Sequence, residues 1–273
     1  SEPGVLVRFA ATAEELDDAD LVVVPGTRAT VADLAWLRSR GLDAVLASRA
    51  AAGRPVLGIC GGYQLLGLSI TDDVESRRGT VPGLGLLPVR TVFGAEKVLG
   101  RPTGAYGPHP VTTAYEIHHG VITVEGGEHL FSPGEGCRQG SVLGTVWHGA
   151  LESDGVRRAL LAEVAQAAGR QWEPGNASFE GVRQARLDAL GDLVADHLDT
   201  DAVMQLLDSG APANLPFVPP GAPAQAATPA PSLRAAAAAS LDTDTRLNIT
   251  TPATNRNPAA TRKPADQPDT SAS

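Results

Sequence analysis

The chain has 273 residues, of which 42% are hydrophobic, and its formal net charge is −9. This length accommodates one core of about 200 residues plus a further segment. The acidic balance, without a cluster of lysines and arginines to neutralise phosphates, argues against nucleic-acid binding. The two cysteines, Cys60 and Cys137, are too few for a disulfide framework and lack the spacing of a zinc site.

Membrane and secretion signals are also missing from the sequence. No apolar run approaches the roughly 18 residues that span a bilayer, and no signal peptide precedes the first predicted strand. We therefore expect no membrane partner, no bound metal and a cytoplasmic location, where thiols stay reduced. The chain lacks an initiator Met and opens almost directly into a strand, which indicates a fragment of a longer protein.

The N-terminal part alternates apolar strands with helices. Strands are predicted over residues 5–9, 21–24 and 55–59, and helices over residues 13–18, 31–38, 42–52 and 63–68. Continuous apolar strands alternating with helices are typical of a parallel sheet covered on both faces. The sequence therefore predicts an α/β fold.

The middle of the chain, residues 84–143, is rich in Gly, Pro, Thr and Val and predicts a mixed or antiparallel sheet with long loops. Its strands are predicted over residues 86–92, 112–117 and 121–124. A strand then ends at His148, and helices follow over residues 155–168 and 179–207. In the second of these helices Leu187, Leu190, Val194 and His197 share one face at helical spacing.

The composition changes again near residue 208. Eleven of the 21 prolines lie in the last 65 residues, together with a single aromatic side chain, Phe217. Such a segment buries too little apolar surface to offset its ordering entropy. We expect a folded domain over residues 1–207 and a disordered Pro/Ala/Thr-rich tail over residues 208–273.

Cys60 lies between a predicted buried strand and a helix, and two glycines follow it. A strand-turn-helix of this kind exposes a nucleophile on a strained turn. The helix N-terminus is expected to lower the thiol pKa and favour the thiolate, and the N–H of Gly61 is placed to stabilise an oxyanion. A cysteine in another context is more often an inert core residue, and Cys137, in a glycine-rich turn, fits that description.

The loop Pro25–Gly26–Thr27 follows another apolar strand, at the end where ligands bind in open α/β sheets, and its glycine can present an N–H to the same oxyanion. A thiol nucleophile also needs a nearby base. His148 ends a strand beside a glycine and is one candidate base. His118 is a second candidate, and spacing alone does not separate the two. His197 lies on the apolar face of a helix and is expected to pack or cap there.

Four segments, in order, resemble the cobalamin-pathway glutamine amidotransferases and within them the cobyric acid synthase family. They are Pro-Gly-Thr at 25–27 followed by Thr-Val-Ala-Asp-Leu-Ala-Trp-Leu-Arg at 30–38, Val-Leu-Gly-Ile-Cys-Gly-Gly-Tyr-Gln-Leu-Leu-Gly at 56–67, Tyr-Glu-Ile-His-His-Gly at 115–120, and Gly-Thr-Val-Trp-His-Gly at 144–149. The resemblance spans residues 1–207. It implies a class I-like glutamine amidotransferase fold, which is a flavodoxin-like three-layer sandwich.

The resemblance also implies the chemistry. Cys60 would attack the side-chain amide of glutamine to form a thioester, and His148 would be the catalytic histidine. Gly26 and Gly61 would supply the oxyanion hole, with Thr27 and Gln64 also at the substrate. Ammonia would pass to an ATP-dependent synthetase domain that amidates adenosylcobyrinic acid a,c-diamide. ATP and Mg are expected only for that domain, so this chain should need no cofactor.

The chain departs from the family pattern in three ways. The family pattern places an ATP-binding domain before this region, and we expect the given sequence to lack that domain and the first strand of the glutaminase domain. Many triad glutaminases have Glu two residues after the histidine, where this chain has Ala150, so the third role is either unfilled or taken by Glu152 or Glu116. Ala114 replaces the usual Gly before Tyr115.

Two alternatives stay open at this stage. One is a related glutaminase, such as the partner subunit of a cell-wall (lipid II) amidotransferase, although the Asp-Leu-Ala-Trp-Leu-Arg segment at 33–38 favours the corrinoid enzyme. The other is a non-catalytic module that only docks to a synthetase. The presence of both Cys60 and His148 argues against a module that has lost its catalytic activity.

Overall fold

The computed structural model describes residues 2–210, residue 213 and, as backbone alone, residues 247–252. The strands of this part of the chain are β1 (Val5–Ala10), β2 (Leu21–Val24), β3 (Val56–Ile59), β4 (Ser69–Asp72), β5 (Gly79–Pro82), β6 (Val89–Gly100), β7 (Gly104–Tyr106), β8 (His109–Val111), β9 (Glu116–Val124), β10 (Cys137–Gln139), β11 (Val142–Thr145) and β12 (Leu247–Pro252). The helices are α1 (Ala13–Asp17), α2 (Thr30–Ser39), α3 (Leu42–Ala51), α4 (Gly61–Leu66), α5 (Asp154–Ala167), α6 (Phe179–His197) and α7 (Thr200–Ser209).

The larger sheet has six strands in the order β1-β12-β2-β3-β11-β10. All neighbours are parallel except β10 and β11, which pair antiparallel. Strands β2, β3 and β11 are short, apolar and largely buried, as expected for parallel strands covered on both faces. The α/β class predicted from the sequence is confirmed.

Three neighbouring parallel strands of this sheet position the candidate site. The chain leaves β2 into the Pro25–Gly26–Thr27 loop, leaves β3 directly into Cys60, and leaves β11 three residues before His148. Because parallel strands end at one edge of a sheet, the three segments meet there. The sheet order β2-β3-β11 places the end carrying Cys60 between the other two.

A second sheet has four strands in the order β5-β4-β6-β9. Strands β4 and β6 are parallel and the other pairs are antiparallel, which confirms the mixed sheet predicted for the middle of the chain. Strand β6 is twelve residues long and loses its register with β9 between Phe93 and Val98. A bulge of this kind bends a strand and re-aims its side chains.

The predicted elements before residue 70 agree with the structure to within about two residues at each end. Further along the chain, the strands predicted over 86–92 and 121–124 overlap longer strands, β6 and β9. Three other predictions are wrong. The strand predicted over 112–117 is mostly a connection between β8 and β9, and β11 ends at Thr145 rather than at His148. The helix predicted over 179–207 is two helices, since Asp199 caps a new helix by accepting the N–H of Ala202 at 2.9 Å.

The apolar residues of α6 lie at helical spacing, yet no residue of α6 is buried against the described part of the chain. Leu187 and Leu190 are 52% and 58% exposed. His197 is also exposed and lies in the last turn, where a histidine complements the helix dipole. The sequence pattern therefore predicted the helix correctly but not its surroundings.

The C-terminal tail differs from the prediction in one segment. Residues 247–252, inside the tail predicted to be disordered, form β12 between β1 and β2. The predicted domain boundary at residue 207 falls inside α7. Most of the remaining tail lies outside the described residues. Within the described part, no helix is both long and apolar enough to cross a bilayer.

Candidate active site

Cys60 occupies the sharp turn between β3 and α4. Its backbone has φ 50° and ψ −111°, a conformation that side chains rarely adopt. Strain of about 1–3 kcal/mol of this kind persists only where surrounding structure enforces it. Here the N–H of Cys60 donates to the carbonyl oxygen of Thr145 at 2.7 Å, and its own carbonyl oxygen accepts from Gln64 at 3.0 Å. The predicted strained turn is therefore present.

The two glycines after Cys60 let α4 approach the loop after β2. A Cβ on Gly61 would lie 2.8 Å from the backbone nitrogen of Thr27, and one on Gly62 would lie 1.9 Å from the carbonyl oxygen of Val24. These separations exclude any larger residue without backbone movement. The glycines thus fix the distance between the Cys60 turn and the Gly26–Thr27 loop.

Gly26 lies between the side chains of Cys60 and His148. A Cβ built on Gly26 would be 3.2 Å from Cε1 of His148 and 3.6 Å from Cβ of Cys60. The imidazole of His148 and the Cβ of Cys60 therefore both lie next to Gly26. The structure brings together three residues that the sequence placed on separate segments.

The His148 ring is held by Tyr115 rather than by a carboxylate. The two backbones exchange N–H···O bonds of 2.8 and 2.9 Å, and the rings stack with centroids 5.0 Å apart and 13° between planes. No described carboxylate forms a hydrogen bond with the ring. Burial, and secondarily the charge of His118, lowers the pKa of His148 below its ordinary value of 6.5. The ring is therefore neutral at pH 7, as a base must be.

The pKa of the Cys60 thiol is shifted in the direction opposite to the one predicted from the sequence. Burial raises its pKa above the ordinary 9.0, the Gly61 N–H acts in the opposite direction, and the carboxylate of Glu75 raises it further. The expected thiolate at the helix N-terminus is therefore wrong for the free protein. The helix α4 has only six residues, and its N–H groups do not offset the desolvation of the sulfur.

A cleft of about 150 Å³ opens at Cys60, and we call it the nucleophile cleft. Its lining residues come from both sheets and their loops: Thr27, Arg28, Thr30, Cys60, Gln64, Glu75, Phe93, Lys97, Ile117, His118 and His119. Gln64 is 2% exposed and accepts a hydrogen bond from Thr30 at 3.3 Å. Thr27 donates to the buried carboxylate of Asp33, which fixes the loop after β2.

His118, the second candidate base, lines this cleft, whereas His148 is not among the residues that line it. Its Nδ1 lies 2.7 Å from the carbonyl oxygen of Gly120, which only accepts, so the ring carries its proton on Nδ1. Its Nε2 is buried without a hydrogen bond and lies 3.6 Å from Oε2 of Glu116. Glu116 is therefore directed at His118, and no described contact joins it to His148.

Glu152, the other candidate for a third role, pairs with Arg183 at 3.4 Å and is one-third exposed. The sequence reasoning overlooked a different carboxylate, Glu135. It accepts hydrogen bonds from the hydroxyl of Thr145 at 2.7 Å and from the N–H of Val146 at 2.8 Å. Burial raises its pKa to about 7. Glu135 thereby anchors the segment that carries His148.

Two further features bear on the site. Cys137 is fully buried, as expected for an inert thiol. A larger apolar cavity of about 350 Å³ adjoins α5. Its lining includes Ile59, Trp147 and Gly149, which adjoin Cys60 and His148 in sequence, but not Cys60 itself. Among the described residues, no group of three His, Cys, Asp or Glu side chains is arranged to hold a metal ion.

Comparison with known proteins places this geometry in a family. A protein described as cobyric acid synthase from Streptomyces avermitilis is 62% identical over 226 residues, which cover 82% of this chain and 44% of that protein. Proteins with the same description from Streptomyces coelicolor and Frankia casuarinae are 60% and 61% identical, and the match covers 44% and 43% of their lengths. The chain thus spans less than half the length of these relatives.

A crystal structure of a glutamine amidotransferase superposes on this chain with a TM-score of 0.45 at 22% sequence identity. The superposition covers 58% of this chain and 86% of that one. The family description "CobB/CobQ-like glutamine amidotransferase domain" matches residues 1–156, which include Cys60 and His148. The chain therefore belongs to the CobB/CobQ-like glutamine amidotransferase domain family.

Proposed function

We propose that this chain is the glutaminase part of a cobyric acid synthase, with Cys60 as nucleophile and His148 as its base. The observation that carries the proposal is the position of Gly26, whose missing side chain would contact both the thiol-bearing carbon and the imidazole. A neutral imidazole next to a protonated thiol is the starting state for proton transfer.

The reaction begins when His148 takes the proton of Cys60 and the sulfur attacks the side-chain amide carbon of glutamine. The tetrahedral oxyanion accepts hydrogen bonds from the backbone N–H groups of Gly26 and Gly61. His148 then protonates the leaving nitrogen, ammonia departs, and a thioester remains. A water molecule, activated by the same ring, hydrolyses the thioester to glutamate and restores the thiol.

The raised pKa of Cys60 suits a dyad that forms its ion pair only with substrate bound. A buried thiol stays protonated and unreactive until proton transfer is coupled to attack. Tyr115 takes the orienting role that a third carboxylate has in triads, because stacking and two backbone hydrogen bonds fix the ring of His148. Neither Glu116 nor Glu152 is needed for this arrangement.

The wider role rests on the relatives. Their description as cobyric acid synthases and identities of 60% or more support delivery of ammonia to an ATP-dependent synthetase domain or chain that amidates the corrinoid adenosylcobyrinic acid a,c-diamide. A cytoplasmic location fits two free cysteines. The lipid II alternative gains no support from these relatives. The docking-module alternative is disfavoured because nucleophile and base are both present and adjacent.

The test is covalent labelling by 6-diazo-5-oxo-L-norleucine, an electrophilic analogue of glutamine, read by intact mass and peptide mapping. We expect one adduct on Cys60 of the 273-residue chain and none in Cys60→Ala. The fully buried Cys137 serves as an internal control. Labelling on Cys137, or equal labelling in Cys60→Ala, would remove the nucleophile and with it the proposal.

A further inference from the structure

Glu135 lies in the connection between β9 and β10, and its side chain holds the end of β11. Oε2 accepts a hydrogen bond from the hydroxyl of Thr145 at 2.7 Å, and Oε1 accepts one from the backbone N–H of Val146 at 2.8 Å. Both oxygens of this carboxyl group are therefore directed at the two residues that lie three and two positions before His148.

Thr145 connects this carboxyl group to both members of the proposed dyad. Its hydroxyl oxygen accepts the backbone N–H of Trp147, the residue before His148, at 2.9 Å. Its carbonyl oxygen accepts the N–H of Cys60 at 2.7 Å, at the turn where Cys60 has a positive φ. Thr145 is 3% exposed. One buried residue thus contacts the turn of the nucleophile on one side and the segment of the base on the other.

The turn that carries Glu135 is itself fixed against β11. The backbone N–H of Glu135 donates to the carbonyl oxygen of Phe131, and its carbonyl oxygen accepts from the N–H groups of Leu130 and Phe131, each at 2.9 Å. Gly136 has φ 72°, and a Cβ built there would lie 2.5 Å from the carbonyl oxygen of Gly144 in β11. Only glycine permits this approach, so the carboxyl group extends from a turn that packs directly on the strand it holds.

Hydrogen bonding, rather than charge pairing, defines the role of Glu135. Burial is the main influence on its pKa, the two hydrogen bonds oppose it, and the charge of Glu116 adds to it, while no described cation contributes. A neutral amide of the same shape preserves both contacts. Its oxygen accepts the N–H of Val146, and its NH₂ group donates to the hydroxyl oxygen of Thr145.

We infer that Glu135 is a positioning residue, which sets the relative position of Cys60 and His148 through the hydrogen bonds of Thr145 and Val146. The inference rests on the proposed glutaminase function and assigns no proton transfer to Glu135, because both of its oxygens are occupied by the end of β11. Misplacing reacting groups by about 1 Å costs up to about 100-fold in rate. The loss of Glu135 should therefore slow the reaction of bound substrate without weakening its binding.

The first experiment measures the kinetics of Cys60 labelling by 6-diazo-5-oxo-L-norleucine in the 273-residue chain. The limiting rate at saturation, kinact, is separated from the half-saturating concentration, KI. Glu135→Leu keeps the size but removes the acceptor, and should lower kinact by about 10- to 100-fold while KI stays within about twofold. Glu135→Gln should restore kinact to within about threefold of the unchanged chain.

Three outcomes of this experiment contradict the inference. They are an unchanged kinact in Glu135→Leu, a rise in KI in place of the fall in kinact, and equal losses of kinact in Glu135→Leu and Glu135→Gln. Failure of the unchanged chain to react at Cys60 would instead overturn the glutaminase function itself. The two proposals can therefore fail separately.

The matched control is Arg49→Met, which removes a buried hydrogen-bonding group at the opposite end of β3 from Cys60. Arg49 is 1% exposed and donates at 3.2 or 3.3 Å to the carbonyl oxygens of Leu16, Asp17, Asp20 and Pro55. Its loss should lower the midpoint of thermal denaturation at least as much as Glu135→Leu does, with kinact unchanged. An equal fall in kinact in Arg49→Met would mean that labelling follows stability, and would overturn the positioning role.

The second experiment tests the path through Thr145 with a double-mutant cycle. Thr145→Val removes the hydroxyl group and keeps the carbonyl oxygen that binds the N–H of Cys60. If Glu135 acts through this hydroxyl, adding Thr145→Val to Glu135→Leu should lower kinact little further than Glu135→Leu alone. Losses that multiply in the double variant would show that the two residues act independently, and would exclude this path.

Discussion

The helices α4 and α6 differ in how much of their surface is buried. The helix α4, six residues long, has every residue buried between the two sheets, whereas α6, nineteen residues long, has no residue buried in the described part of the chain. Both were predicted from apolar residues in the sequence. The difference teaches that helical periodicity predicts a helix but not how tightly the helix is packed. The neighbours of α4 are β3 and β4, which adjoin it in sequence, and also β2, β6 and β11, which do not. These strands together decide its burial.

The largest effect should come from a methyl group added to a glycine of α4. In Gly62→Ala the new Cβ would lie 1.9 Å from the carbonyl oxygen of Val24, a backbone atom that cannot move alone. We expect the free energy of unfolding to fall by about 3 kcal/mol or more. The matched control is Gly191→Ala in α6, where nothing lies within 4 Å.

Gly191→Ala should raise the free energy of unfolding by about 0.5–1 kcal/mol, because alanine favours the helix. Urea denaturation of both variants measures the contrast. A cost at position 191 comparable with that at position 62 would mean that α6 is packed after all, and would break the comparison between the two helices.

The second largest effect concerns the base next to the Cys60 turn. His148→Ala should lower kcat for ammonia release by about 10²- to 10⁴-fold, the usual contribution of a general base. His118→Ala should retain measurable activity, since the proton of its Nδ1 is directed at Gly120. Steady-state assays with glutamine test this order. The reverse order would transfer the role of base to His118.

A pair of identical substitutions extends the comparison from glycines to leucines. Leu66 in α4 is fully buried and Leu190 in α6 is 58% exposed. Leu66→Ala should cost about 2–5 kcal/mol of unfolding free energy, whereas Leu190→Ala should change it by less than about 0.5 kcal/mol. Thermal denaturation midpoints give the ranking directly. Similar losses at the two positions would contradict the burial of one and the exposure of the other.

The smallest effect is a shift in pH dependence. In the proposed mechanism His148 acts in its neutral form, so kcat/KM should fall as the pH drops through its pKa, which burial and His118 hold below 6.5. His118→Gln removes the charge while burial persists, so the pKa of His148 should rise and the acid limb should move to higher pH. The pH dependence of kcat/KM for both proteins measures this shift. An acid limb that moves to lower pH in His118→Gln would exclude electrostatic coupling between the two rings.

The sequence predicted the turn at Cys60 and the loop after β2 because their signals are local. A cysteine between an apolar strand and two glycines has few alternative structures, and the Pro25–Gly26–Thr27 loop follows a strand of the same kind. Sequence reasoning missed Glu135, which lies in the connection between β9 of the second sheet and β10 of the larger one. The glycines flanking Glu135 were the available signal, but a glycine-rich turn gives no indication of the strand it will contact.

The thiol pKa and the C-terminal strand show the same limit. A helix N-terminus lowers a thiol pKa, and desolvation raises it, so the sign depends on how deeply Cys60 is buried. A proline-rich tail predicts disorder from composition alone, and it cannot predict that six of its residues pair between β1 and β2. Both outcomes depend on contacts between residues far apart in the chain.

The amino-acid sequence by itself determined the alternation of strands and helices, the turn at Cys60 and the family, because each depends on a short contiguous pattern. Only the tertiary structure decided that Cys60 and His148 both adjoin Gly26, which residues line the nucleophile cleft and which helix is buried. These properties follow from the order of β2, β3 and β11 in the sheet and from the placement of the second sheet across their ends. Strand order is a non-local property, set by packing over the whole core rather than by any segment alone.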